Sequence, residues 1–232
     1  MQMFDLTGED DRIRFSPFCW RVRTAMALKG LDCEYVPWRF TETARLEQSG
    51  QGRVPVLVDT ERDRVVHDSW AIAVYLDETY PDQPVMRDDA ARASAKLVET
   101  WTNHVLFPPL RPLAVEPVHR LLGETDGAYF KESREAALKA PLAEVSSPDA
   151  QGKATADLAR VLKTLEPTLS EHDFLGGTAP YYGDCIVFGT LMWPYIVNPG
   201  FALEGAPATG RWFERMLDVG DGGGRKALRA PA

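Results

Sequence analysis

The sequence predicts an α/β domain followed by an all-helical one, on three observations. The first eighty residues alternate short apolar runs with helix-compatible stretches, in the order strand, helix, strand, helix, strand, strand, helix. After Tyr80 the composition changes: "PDQPVMRDD" is a proline-bearing linker, and almost everything beyond it has helical spacing. The length, 232 residues, suffices for two small domains sharing an interface. The expected division is 1–82, a linker at 83–90, and 91–232.

"MQMFDL" alternates apolar and polar residues and reads as a strand, followed by the charged loop "TGEDDRIR". Pro17 suits the first turn of a helix, where its missing N–H would have no partner. Gly30 is a natural stop. Trp20, Ala25, Met26 and Leu28 supply the buried side of that helix. "CEYVPW" is a second strand, and "TETARLEQSGQG" a polar, helix-compatible stretch. "VPVLVD" and "RVVH" form a hairpin across Thr60–Asp63. "DSWAIAVYLDETYP" is then an amphipathic helix capped by Asp68 or Ser69 and closed by Pro81. In the second part the clearest helices are 91–106, 151–166 and 184–195; "SSPDAQG" reads as a loop. The glycine-rich "VGDGGGRK" is a tail and not a phosphate loop, because Gly-Arg-Lys replaces Gly-Lys-Ser/Thr and no strand leads into it.

A net charge of −8 argues against broad binding to nucleic acid or an anionic membrane, which needs a basic face. It leaves room for a local basic pocket. Three cysteines, at 19, 33 and 185, form no cluster, and any pairing leaves one over, as fits a reducing compartment. No apolar run approaches a membrane span, and "MQMFDLTGEDD" lacks the pattern of a signal peptide, so a cytoplasmic protein is expected. The histidines at 67, 104, 119 and 172 lack metal-ligand spacing, and no metal site is expected.

Three features of the first third stand at matched places. Ser16-Pro17 starts the first helix, Val54-Pro55 enters the hairpin, and Asp68-Ser69 caps the next helix. Singly, each reads as a plain cap or an ordinary edge proline. Together, in this strand and helix order, they resemble the glutathione transferase superfamily. The resemblance is carried by "FSPFCWRVR", "RVPVLVD", "HDSWAIAVYLDETYPD" and "FLGGTAPYYGDCIVFGTLMW". It implies a thioredoxin-like N-terminal domain plus an all-α C-terminal domain. It also implies a cis proline at Pro55, with the Val54 backbone pairing the cysteinyl part of glutathione and Asp68-Ser69 holding its γ-glutamyl end. Arg53 would help with the glycyl carboxylate. "SPFCWR" and "PYYGDCIVFGTLMW" look like the branch of bacterial β-etherases and related fungal enzymes. That family has Ser or Thr three residues before the aspartate matching Asp184, in a reciprocal capping box; Tyr181 stands there instead, which puts the hydroxyl half of the box in question.

In thioredoxin-like redox proteins the first cysteine of the motif attacks and the second resolves. Ser16 occupies the attacking position, so Cys19 cannot complete a dithiol couple within the motif and reads as a small core residue. A hydroxyl there can donate a hydrogen bond to the sulfur of bound glutathione, worth about 1.5–3 kcal/mol when the acceptor is charged. With the helix N-terminus adding favourable partial charge, that makes a thiol of ordinary pKa, about 8.5, largely thiolate at neutral pH. The leading reading is thus glutathione, as co-substrate, attacking a small hydrophobic, aromatic electrophile, with a β-aryl ether as one candidate. Its pocket would include Phe15, Phe18, Trp101, His104 and Phe107. A homodimer is implied by the resemblance. The competing readings are a glutathione-dependent reductase or thiol transferase, disfavoured by the missing cysteine at 16, and a non-catalytic glutathione-binding module.

Overall fold

The structure, a computed structural model, describes residues 1–231 and opens with a four-stranded sheet. Strands β1 (Gln2–Leu6), β2 (Glu34–Trp38), β3 (Val56–Asp59) and β4 (Arg64–His67) lie in the order β2-β1-β3-β4. β1 runs parallel to β2 and antiparallel to β3, which pairs antiparallel with β4. Helix α1 (Pro17–Lys29) joins β1 to β2, and α2 (Ser69–Thr79) follows β4. The expected thioredoxin-like order is present with one change. The stretch after β2 is a 3₁₀ helix, Thr43–Ser49, in which Leu46 alone is buried. A single apolar anchor gives no stripe to seat a full α-helix.

The second part holds α3 (Asp89–Trp101), α4 (Phe107–Arg120), α5 (Glu124–Leu138), α6 (Leu142–Val145), α7 (Pro148–Leu162), α8 (Glu166–Glu171), α9 (Tyr182–Val197) and α10 (Pro207–Leu217). The helix expected over 91–106 is divided. α3 ends at Trp101, and a π turn, Thr102–Leu106, leads into α4, with the Phe107 N–H reaching back to the Thr102 carbonyl. Pro108 and Pro109 explain it: they lack N–H groups and crowd the carbonyls four residues back, so the preceding turn widens. The expected loop "SSPDAQG" instead opens α7, because Ser147 caps it, accepting from the Ala150 N–H, and Pro148 takes the first helical position. The linker is tied down as well. Asp77 accepts the N–H groups of Val85 and Met86 at 3.0 and 2.7 Å and pairs with the buried Lys29 at 2.8 Å.

The two parts meet where α1 packs on α9, a helix buried along almost its whole length. The backbones come close because residue 189 is glycine. A Cβ there would stand 2.6 Å from the Arg21 nitrogen and 2.8 Å from the Pro17 carbonyl oxygen. Gly189→Ala is therefore expected to cost about 2 kcal/mol, since neither backbone atom can swing away. Thermal unfolding should show a Tm lower by about 4–8 °C; an unchanged Tm would contradict the close packing.

Asp184, in the first turn of α9, is fully buried and organises the loop before it. Its carboxylate accepts the N–H groups of Leu175, Gly176 and Tyr181 at 2.8, 3.1 and 3.1 Å, and the Trp212 indole N–H at 2.7 Å. The capping arrangement thus closes from the Asp184 side. The Tyr181 phenol pairs with the Ser94 hydroxyl on α3 at 3.1 Å, while its ring lies over Gly183, where a Cβ would come within 2.3 Å of it. Glycine at 183 is what lets a tyrosine stand at this helix start.

Candidate functional site

Three segments converge at one end of the sheet. β1 finishes there at Leu6, and a bridge between Thr7 and Arg14 closes the loop that delivers Ser16 to the start of α1. β3 begins there, with Val56 opposite both Phe4 and His67. Continuing the β3–β4 register by one residue sets Pro55 across from Asp68. The pairs Val54-Pro55 and Asp68-Ser69 therefore face each other beside Ser16. The Val54-Pro55 peptide is cis.

Each segment presents unspent hydrogen-bonding capacity. Ser16 is the N-cap of α1, and its Oγ accepts from the Cys19 N–H at 3.2 Å, so the hydroxyl proton remains free to donate. Neither the N–H nor the C=O of Val54 is engaged among the described residues. Asp68 caps α2 through one oxygen, Oδ1, which accepts from Trp70 and Ala71 at 3.0 and 3.1 Å. Its φ of +72° with ψ of 131° is unusual for a residue with a side chain and costs about 1–3 kcal/mol; such conformations gather at binding sites. The Ser69 carbonyl accepts from the buried Tyr182 hydroxyl at 2.6 Å, tying this helix start to α9. Together these groups suit an extended peptide with a charged end: backbone pairing at Val54, a carboxylate for an ammonium at Asp68, and a helix N-terminus for a carboxylate at Ser69.

A cavity of about 530 Å³ opens beside this sheet end, between the two parts of the chain. Ser16, Arg53 and Val54 line it on one side, Phe107, Arg111 and Trp193 on the other. Phe18 stacks on Phe107 at 6.1 Å between centroids, and Phe107 on Trp193 at 5.0 Å. Phe40, which also lines the cavity, packs against Phe130 at 5.2 Å, with the Arg134 guanidinium 4.9 Å from the Phe130 ring. Of the aromatic positions expected in the pocket, Phe15, Phe18 and Phe107 line it. Trp101 and His104 stand outside: Trp101 packs on the edge of the hydrophobic core, and His104 is exposed on the π turn. The widened turn carries both away and leaves Phe107 facing inward. Pro55, Asp68 and Ser69 lie next to the cavity and not in its wall.

Sequence reasoning missed Arg21. It is almost wholly buried under Phe18, 4.6 Å from that ring. It donates to Asn103 Oδ1 at 2.9 Å and Thr190 Oγ1 at 3.1 Å, with Glu99 at 3.8 Å. One side chain on α1 thereby fixes α9 and the π turn behind the cavity. Its position in "CWRVR" gave the signal, an arginine on the apolar side of a helix. Cys19 is buried and free. Burial, and then the charge of Asp5, push its thiol well above its ordinary pKa, so it stays protonated and inert. Among the described residues no group of His, Cys, Asp or Glu is arranged to hold a metal, and no helix is long and apolar enough to cross a membrane.

Comparison with known proteins points the same way. The profile of the glutathione S-transferase N-terminal domain matches residues 12–84, and that of the C-terminal domain matches residues 93–201. A zeta-class glutathione S-transferase of Euphorbia esula is 36% identical over 110 residues, 45% of this chain and 47% of that protein. A maleylacetoacetate isomerase of Pseudomonas aeruginosa is 38% identical over 80 residues, 32% of this chain and 37% of that protein. The chain thus matches less than half the length of these curated relatives. A glutathione S-transferase of Ceriporiopsis subvermispora, solved in complex with glutathione, superposes with a TM-score of 0.81 at 22% identity, covering 95% of this chain and 97% of that one. That likeness concerns the fold.

Proposed function

The chain belongs to the glutathione S-transferase superfamily, and on that premise we propose that it directs glutathione onto an aromatic electrophile in the cavity between its two domains, with Ser16 as the activating residue. The observation that carries this reading is the Ser16 hydroxyl. Its oxygen is occupied by the Cys19 N–H, its proton is free, and it stands at the cavity beside the unengaged Val54 peptide. When bound, glutathione supplies a thiol whose anion displaces a leaving group: a sulfur–carbon bond forms, the bond to the leaving group breaks with its electron pair, and the thiol proton passes to solvent. The chain's residues do the rest. Val54 aligns the tripeptide backbone, Asp68 and Ser69 anchor its charged end, Arg53 meets its other carboxylate, and Ser16 favours thiolate over thiol by donating a hydrogen bond to the sulfur.

Incubation with glutathione and an aromatic halide tests the reading, thioether and halide appearing in equal amounts; no enzyme-dependent thioether overturns it. A phenol leaving group, as in a β-aryl ether, suits the same aromatic walls and is tested by phenol release from a model ether ketone. A second reading, glutathione-dependent isomerisation, is supported by the likeness to a maleylacetoacetate isomerase. It differs by returning glutathione unconsumed. Assembly as a homodimer is part of the proposal, and light scattering that gives the mass of one chain would overturn that part.

Asp68→Asn separates charge from capping, because asparagine caps as well as aspartate. Helix α2 should survive, while glutathione affinity falls by about two- to five-fold through loss of a solvent-exposed pairing with its ammonium. Calorimetry showing unaltered affinity would place the charged end elsewhere.

A further inference from the structure

We propose that the electrophile is an aromatic carboxylate, its ring against the Phe107–Trp193 wall and its acid group between Arg111 on α4 and Arg134 on α5. The proposal deepens the transferase reading and rests on it for calling the ligand an electrophile and for giving Arg53 to glutathione.

The chain carries 34 acidic residues against 26 basic ones, yet the cavity is lined by three arginines, Arg53, Arg111 and Arg134, and by no carboxylate. Several surface arginines elsewhere lean on acids, as Arg45 does on Glu42, Arg160 on Asp157 and Arg225 on Glu214, while Arg87 and Arg229 spend their N–H groups on backbone carbonyls. Arg111 and Arg134 have no acidic partner within salt-bridge distance among the described residues. Arg111 lies 5.8 Å from the Phe107 ring, and Arg134 lies 4.9 Å from Phe130 and donates only to the neighbouring Ser133 hydroxyl at 3.2 Å. A guanidinium that rests near a ring and is not paired with an acid keeps N–H groups for a planar carboxylate, which an arginine can meet in two parallel hydrogen bonds.

Arg134 is also under electrostatic stress. Burial draws its pKa below the ordinary value; Tyr129 opposes that shift, and the charge of Arg53 adds to it. An anion from outside would relieve both. Arg53, next to Val54, is spoken for by the peptide-like end of the site, which leaves the other two for the second ligand. The stacked rings of Phe18, Phe107 and Trp193 favour a flat partner over an aliphatic chain. The volume of about 530 Å³ suits a molecule of one or two rings.

The test compares 4-chloro-3-nitrobenzoate with its primary amide, which has the same shape without the charge. Both quench tryptophan, and Trp38 and Trp193 line the cavity, so dissociation constants can be read without catalysis. The acid should bind about ten-fold more tightly than the amide at neutral pH. The preference should fall below about three-fold in Arg111→Gln/Arg134→Gln and return only in part in Arg111→Lys/Arg134→Lys, because lysine keeps the charge but lacks the planar fork. Equal binding of acid and amide overturns the proposal. So does a preference that survives the glutamine variant, or a glutamine variant that loses affinity for glutathione and keeps its preference for the acid. Turnover is scored separately. An acid that binds with the stated preference and is never conjugated to glutathione upholds the anionic pocket and takes down the transferase reading.

Discussion

Ser16→Ala is expected to lower kcat by about 10- to 100-fold, the worth of a hydrogen bond to a charged sulfur, while the KM for glutathione changes far less. The hydroxyl acts on the thiolate and contributes little to holding the rest of the tripeptide, so the loss falls on the chemical step. The pH dependence gives the sharper reading. Donation from Ser16 lowers the pKa of the bound thiol, so the wild-type rate persists to lower pH. Without the hydroxyl that pKa returns toward about 8.5, and the rising limb of the rate profile moves to higher pH. The deficit should be largest on the acid side and shrink above the new pKa. Ser16 also caps α1 through the Cys19 N–H, and losing the cap costs about 1 kcal/mol of stability. That cost would not move a pH profile. A variant with wild-type profile and rate would remove Ser16 from the mechanism.

Asp184→Ala is expected to give the largest loss of stability, about 4 kcal/mol or more. It strands four donors, the Leu175, Gly176 and Tyr181 N–H groups and the Trp212 indole, at a residue with no solvent exposure. Scanning calorimetry should show a fall in Tm of about 8–16 °C, or no cooperative transition. Asp184→Asn keeps one acceptor and should lie between the two. A fall under about 3 °C for the alanine variant would mean that the loop 174–181 is held by something else. Glutathione affinity should follow folding and not precede it.

The elements that could be read from the sequence are those fixed by local chemistry. Ser16, Pro17 and Gly30 set both ends of α1: a side-chain acceptor, a residue without N–H, and a glycine at φ +65°. The hairpin, α2 with its Asp68 cap, and the buried α9 followed equally from residue type and spacing. Expectation and structure part where two local rules compete. "TARLEQS" has helix-compatible residues but only one to bury, and stops at a 3₁₀ turn. "SSPDAQG" looks like a loop by composition, while its Ser-Pro step starts α7. Pro108 and Pro109 break the phase of a helix whose apolar spacing runs past them, which is why Trp101 and His104 fall outside the cavity and Phe107 within it.

The sequence by itself determined the two-domain α/β-then-helical order and the placing of Ser16, Val54-Pro55 and Asp68-Ser69 at the ends of their elements, because caps and turn residues act over three or four positions of one chain. Only the tertiary structure decided what faces them. Arg134 sits in "FKESREAALK" and Arg111 among prolines, each indistinguishable in sequence from a solvated arginine. They become wall residues because α4 and α5 are carried over the end of a sheet that lies forty residues or more earlier in the chain. Whether a charge is solvated or lines a cavity depends on which surfaces of distant segments close around it, and no local pattern records that.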